Sequence, residues 1–128
     1  MRAELILVVD DDPLCCRMTA AALERAGYRA EWTTAPAMAV ELVRQRPYTL
    51  VVSDVNMPCM LGTTLAAEII KIRPELRTLL MTALADRHVT RQARTLGMRL
   101  LTKPVAIETL IAAVNELTHG ERPGSLAP

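Results

Sequence analysis

The chain has 128 residues, 51% of them hydrophobic and 23% charged, with 15 basic against 14 acidic side chains. That is enough chain for one globular domain, too ordinary a composition for disorder, and too little basic excess for a nucleic-acid-binding domain. One Trp, two Tyr and no Phe exclude single-strand binders that stack bases on rings, and they predict a core of Leu, Val, Ile, Ala and Met.

Leu5-Ile6-Leu7-Val8-Val9 is a continuous apolar run, the pattern of a strand buried on both faces. It ends in Asp10-Asp11-Asp12-Pro13, where Asp12 suits a helix cap and Pro13 a first helical turn. The spacing predicts a helix to about Ala26, closed by Gly27, and a short strand over 28–33. Pro36 opens a second helix with Met38, Val40, Leu42 and Val43 as its apolar residues, ending before Pro47. Thr49 to Ser53 reads as a buried strand ending at Asp54. A loop with Asn56, Met57, Pro58 and Gly62 precedes a helix over 63–72. Thr78 to Met81 is the fourth strand, ending at Thr82, and a helix over 86–96 stops at Gly97. Arg99 to Thr102 is a fifth strand, ending at Lys103-Pro104. Ile107, Leu110, Ile111, Val114 and Leu117 form the stripe of a last helix. Residues 1–118 are expected to form one domain, and 119–128, with Gly120, Pro123, Gly124 and Pro128, a disordered tail.

Alternating strands and helices at this spacing imply a parallel sheet covered by helices on both faces. No glycine-rich phosphate loop follows the first strand, which disfavours the usual nucleotide-binding versions of that architecture. No apolar run approaches the roughly 20 residues that span a bilayer, and the first one meets Asp10 too soon for a signal peptide. A cytoplasmic location is therefore expected. Cys15, Cys16 and Cys59 are too few and wrongly spaced for a disulfide framework, and with His88 and His119 far apart they make no zinc pattern.

The residues that end the buried strands carry the chemistry. They are Asp10 and Asp11, Asp54, Thr82 and Lys103, spread along the chain but expected to converge at the carboxyl edge of the sheet. Any one of them alone has an ordinary reading as a cap or a solvated side chain. Together they are three carboxylates, an ammonium and a hydroxyl. Carboxylates that repel one another favour a bound cation or a proton, and Mg²⁺ suits oxygen donors that leave positions for phosphate oxygens. A carboxylate beside such a metal can attack a phosphoryl group and become an aspartyl-phosphate.

Five motifs then match one family in order. They are Leu7-Val8-Val9-Asp10-Asp11-Asp12, Val52-Ser53-Asp54-Val55-Asn56-Met57-Pro58, Gly62, Met81-Thr82-Ala83 and Thr102-Lys103-Pro104. Across about 4–118 the chain resembles the receiver domain of two-component response regulators. The resemblance implies a flavodoxin-like α/β sandwich of three layers, with a five-stranded parallel sheet of order 2-1-3-4-5 and five helices. It implies Asp54 as phosphoacceptor and Mg²⁺ held by Asp11 directly, Asp10 through water, Asp54, and the main-chain carbonyl of Asn56. Thr82 would be the switch hydroxyl, Lys103 the partner of the phosphoryl group, and Pro104 would fix the turn, often through a cis bond. Asp12 reads as the helix cap, with direct metal contact the lesser alternative. The implied partner is a histidine kinase or a histidine phosphotransfer protein, docking near Leu14, Cys15 and Met18. Those three residues fit core packing equally well. Nucleic acid and membrane are not expected partners, and homodimerisation stays open. The expected role is a signalling domain that takes part only in its own phosphotransfer and dephosphorylation.

One position departs from the pattern. The family's usual residue three places before the lysine is aromatic, and here it is Leu100, in a stretch from Gly97 to Lys103 that also looks one residue short. The switch set is then Thr82, Leu100 and Pro104, without the usual ring. This segment is more similar to receivers at the C-terminal end of hybrid histidine kinases, and no output domain is expected after Thr118. The alternative from another class is a pseudo-receiver scaffold that binds partners without phosphorylation. A phosphohydrolase acting on external substrate ranks below both.

Overall fold

β1 (Leu5–Val9), β2 (Arg29–Thr33), β3 (Leu50–Asp54), β4 (Arg77–Thr82) and β5 (Arg99–Thr102) alternate with α1 (Pro13–Arg25), α2 (Pro36–Gln45), α3 (Gly62–Ile72), α4 (Arg87–Thr95) and α5 (Ile107–His119). The structure is a computed structural model that describes residues 3–84 and 86–119. All strand pairs are parallel, in the order β2-β1-β3-β4-β5, which is the expected topology. Each boundary falls within two residues of its sequence expectation. The part of the expected tail covering 120–128 lies outside the described residues.

The sheet is a middle layer because its central strands are apolar on both faces. Every residue of β1 and β3 is buried. Alternation then splits them. Ile6, Val8, Leu50, Val52, Leu79 and Met81 face α1 and α5, meeting Cys16, Leu23, Leu110 and Val114. Leu5, Leu7, Val9 and Val51 face α2 and α3, meeting Ala39, Val43, Leu65 and Ile69. A smaller cluster of Val55, Leu80, Val89 and Ala93 lies under α4, with Leu100 half-buried against it. Edge strands β2 and β5 stay partly exposed, as a three-layer sandwich requires. No described helix is long and apolar enough to cross a membrane.

Local signals set the helix ends. Asp12 caps α1 by accepting from the Leu14 N–H at 2.9 Å, with Pro13 in the first turn. Asp86 caps α4 by accepting from Val89 N–H at 2.8 Å. Gly27 and Gly97 follow α1 and α4 with φ of 100° and 70°, a left-handed turn that side chains with a Cβ resist.

Three details differ from the sequence reading. Met38 is 52% exposed, because Ala39 and Val43, one turn apart, point α2 at the sheet and leave Met38 beside that stripe. Ile107 is likewise 55% exposed at the open end of α5. The core also takes both tyrosines, Tyr28 at 7% and Tyr48 at 1% exposure, each by giving its hydroxyl a partner. Tyr28 donates to Asn115 Oδ1, and Tyr48 donates to Glu31 Oε1 at 2.7 Å. Burial, and then the Glu31 carboxylate, push the Tyr48 phenol above its usual range. Tyr48→Phe keeps the ring and loses this charge-assisted bond. Urea unfolding should show a loss of about 1 kcal/mol, since the half-buried Glu31 regains water.

Candidate functional site

The carboxyl edge is built by carrying the strand ladders one step past the strands. Register pairs Val9 with Ser53, Asp54 with Met81, and Thr82 with Thr102. Val55 N–H then donates to Met81 O at 2.8 Å and Lys103 N–H to Thr82 O at 2.7 Å. These bonds bring side chains from four segments to one place.

Asp10 and Asp54 are buried and Asp11 is exposed. One carboxylate oxygen from each lies within 4.8 Å of the others. Asp10 Oδ1 accepts from the Asp12 N–H at 3.0 Å, which turns Oδ2 toward Lys103. Lys103 Nζ lies 3.3 Å from Asp10 Oδ2 and 3.5 Å from Asp54 Oδ1. The Lys103–Pro104 peptide bond is cis. Asp12 stands outside the cluster, its two oxygens taken by Leu14 N–H and the Cys15 thiol.

Thr82 is fully buried. Its Oγ1 donates to Leu84 O at 3.0 Å and accepts from Leu84 N–H at 3.1 Å and from Asn56 Nδ2 at 3.2 Å. The Asn56 side chain is the one contributor that the sequence reading missed, since it considered only the main-chain carbonyl there. Pro104, Lys103, Asp10, Cys15 and Met18 border a cavity of about 500 Å³ that opens beside the acids onto α1. Met18, on its wall, is 64% exposed, and Leu14 of the same helix is 60% exposed, so neither packs the core.

Charge in this site is unbalanced. Burial pushes Asp54 above the usual carboxylate range; Lys103 opposes the rise without cancelling it, and Asp10 adds to it. Burial disfavours the Lys103 ammonium, yet Asp54 and Asp10 together outweigh that and raise it. The asymmetry is physical: one ammonium serves two buried carboxylates. Three hard oxygen donors with surplus negative charge fit a hard divalent cation.

The sign of the pH effect follows. Folded Asp54 holds its proton more tightly than the unfolded chain does, so its ionisation subtracts from stability as pH rises from acid to neutral. Without divalent metal, Asp54→Asn should therefore raise the melting temperature at about pH 7 and give a smaller gain near pH 4, where both states of Asp54 are partly protonated. Thermal melts at the two pH values, followed by circular dichroism, measure this.

Residues 6–115 match the family model for the response regulator receiver domain. The chain belongs to that family. As a receiver domain it is a signalling module of two-component systems rather than a classical enzyme. It is 34% identical over 108 residues to the two-component response regulator ARR10 of Arabidopsis thaliana, covering 82% of this chain and 19% of that protein. To the transcriptional regulatory protein ZraR of Escherichia coli K12 it is 34% identical over 116 residues, covering 89% of this chain and 26% of ZraR. The receiver thus spans only a fifth to a quarter of those relatives. The receiver protein CpdR of Brucella abortus is 30% identical over 118 residues, which cover 88% of this chain and 94% of CpdR. Among solved structures, the signal receiver domain of an HD domain-containing protein from Pseudomonas fluorescens superposes with a TM-score of 0.86 at 27% identity, over 94% of this chain and 100% of that one. A response regulator from Burkholderia pseudomallei, solved with a phosphorylated aspartic acid, a calcium ion and citrate, has a TM-score of 0.81 at 26% identity, over 89% and 68% of the two chains.

Proposed function

We propose that this receiver is a phosphoacceptor switch in a His-Asp phosphorelay of the cytoplasm, with Asp54 as the acceptor. The observation that carries the reading is the Asp10–Asp11–Asp54 cluster with Lys103 Nζ between Asp10 and Asp54. The donor is a histidine kinase or a histidine phosphotransfer protein. It docks over the exposed Leu14 and Met18 of α1, beside the cavity that leads to Lys103.

An Asp54 carboxylate oxygen attacks phosphorus in line, forming an O–P bond as the donor's N–P bond breaks. The leaving imidazole keeps the bonding electron pair. Asp10, Asp11, Asp54 and the Asn56 main-chain carbonyl would hold Mg²⁺, which when bound neutralises charge on the phosphoryl oxygens. Lys103 contributes a further positive charge from its place between Asp10 and Asp54. The rise in the Asp54 pKa marks a carboxylate with weak solvation, which favours attack once its charge is balanced.

Phosphorylation replaces the single charge of the Asp54 carboxylate with a phosphoryl group of roughly −2 charge and three strong acceptors, a net gain of about one negative charge. Thr82 then has reason to turn its hydroxyl from Leu84 O to the phosphoryl group, and the β4–α4 loop follows. Leu100 packs on the same cluster as Val55, Leu80 and Val89, so the change reaches β5 by apolar repacking instead of by a ring. Pro104 sets the main chain on the far side of Lys103.

The test is a mass measurement. Acetyl phosphate with Mg²⁺ should add one phosphoryl group per chain, and EDTA should prevent it. A chain that binds Mg²⁺ but gains no mass would replace this reading with that of a scaffold.

A further inference from the structure

Resting on the phosphoacceptor reading, the hydrogen-bond census of one hydroxyl carries a further step. A threonine hydroxyl has one proton to give and two lone pairs to fill. At Thr82 all three are in use: the proton on Leu84 O, the lone pairs on Leu84 N–H and Asn56 Nδ2. Two of the bonds are local to the β4–α4 loop. The third crosses from the β3–α3 loop, from a residue only two places after Asp54. Asn56 is exposed, so neighbouring side chains do not force its amide into this contact.

We infer that the Asn56 carboxamide is a latch on the switch. It is a positioning residue that holds the Thr82 hydroxyl in the resting arrangement and thereby sets how readily the β4–α4 loop converts. The chemistry is one-sided. Asn56 Nδ2 can only donate, so it stabilises Thr82 Oγ1 where that oxygen acts as acceptor toward it. Moving Oγ1 onto a phosphoryl oxygen at Asp54 breaks the contact with Leu84 O and draws the hydroxyl away from Asn56. A ligand that needs the converted state then binds with an apparent affinity reduced by the fraction of chains that have converted.

The experiment is a cycle of Asn56→Ala and Thr82→Ala, read as the affinity for trifluoroberyllate with Mg²⁺ by isothermal titration. Asn56→Ala keeps the main-chain carbonyl and, at an exposed position, leaves the fold intact; a circular dichroism melt verifies that. Loss of one neutral hydrogen bond from the resting state should tighten binding about fivefold in the wild-type background. In the Thr82→Ala background the same substitution should change nothing, since the latch acts only through that hydroxyl. Unchanged or weaker binding by Asn56→Ala overturns the latch, and so does an equal gain in the absence of Thr82. Failure of the wild-type chain to bind trifluoroberyllate at all overturns the phosphoacceptor reading, and the latch with it.

Discussion

Asp54→Asn should reduce Mg²⁺-dependent phosphorylation by acetyl phosphate to background, measured as added mass per chain. The amide oxygen of asparagine is a poor nucleophile and brings no charge to a metal, so both roles given to Asp54 vanish together. The fold should survive, because the substitution relieves a buried carboxylate whose proton affinity is already raised by burial. The variant should therefore melt higher than the wild type while losing labelling entirely. That combination separates chemistry from structure: a destabilised variant with no labelling would say nothing about Asp54, whereas a more stable one isolates its carboxylate. Lys103→Ala supplies the complementary case. It leaves Asp10 and Asp54 without their ammonium, and it should slow labelling and lower stability.

The second large effect is steric. Gly62→Ala should destabilise the protein by about 3 kcal/mol and lower the melting temperature by roughly 10 °C. A Cβ at Gly62 would lie 2.2 Å from Asp54 O and 2.9 Å from Val55 Cα, and neither is the flexible end of a side chain. The contact is close because Gly62 N–H donates to Val55 O at 2.8 Å, which docks the start of α3 on the end of β3. Relief requires moving the main chain that carries Asp54, so the phosphorylation rate should fall as well as the stability. Gly27→Ala is the informative comparison. It meets no atom within 4 Å and costs only its left-handed backbone. That cost should be about 1–2 kcal/mol, with labelling unaffected.

Sequence alone was sufficient for much of the fold because the signals are local. Leu5 to Val9, a short apolar run ended by acids, has the pattern of a doubly buried strand, and Asp12-Pro13 that of a helix start, and both form there. The acidic cluster was legible for a related reason. In a parallel sheet every strand delivers its last residue to the same edge, so Asp10, Asp54, Thr82 and Lys103 could be brought together on paper. Their mutual distances were not legible, nor was the direction of the Asp54 shift, since the distances are set by packing and the shift by burial first and then by how Lys103 and Asp10 face it. The Asn56–Thr82 bond had no sequence signal at all. It joins two loops whose relative placement is a product of packing. Composition does not reveal Tyr48 as a core residue: its hydroxyl, in the loop before β3, reaches Glu31 of β2 across the end of β1, and that partner lets the ring be buried at little cost. Met38 shows the limit of apolar periodicity, since a short helix with Ala39 and Val43 facing inward leaves a large apolar residue outside.

The central claim is that one carboxylate, Asp54, accepts the phosphoryl group. Its most direct test is to phosphorylate the wild-type chain with acetyl phosphate and Mg²⁺, reduce the product with borohydride, and sequence the peptides by tandem mass spectrometry. An acyl phosphate is reduced to the alcohol, so the account predicts homoserine at position 54 and unmodified aspartate at positions 10, 11 and 12. Homoserine at any of those three positions, or a phosphoryl group retained on another residue, would contradict it.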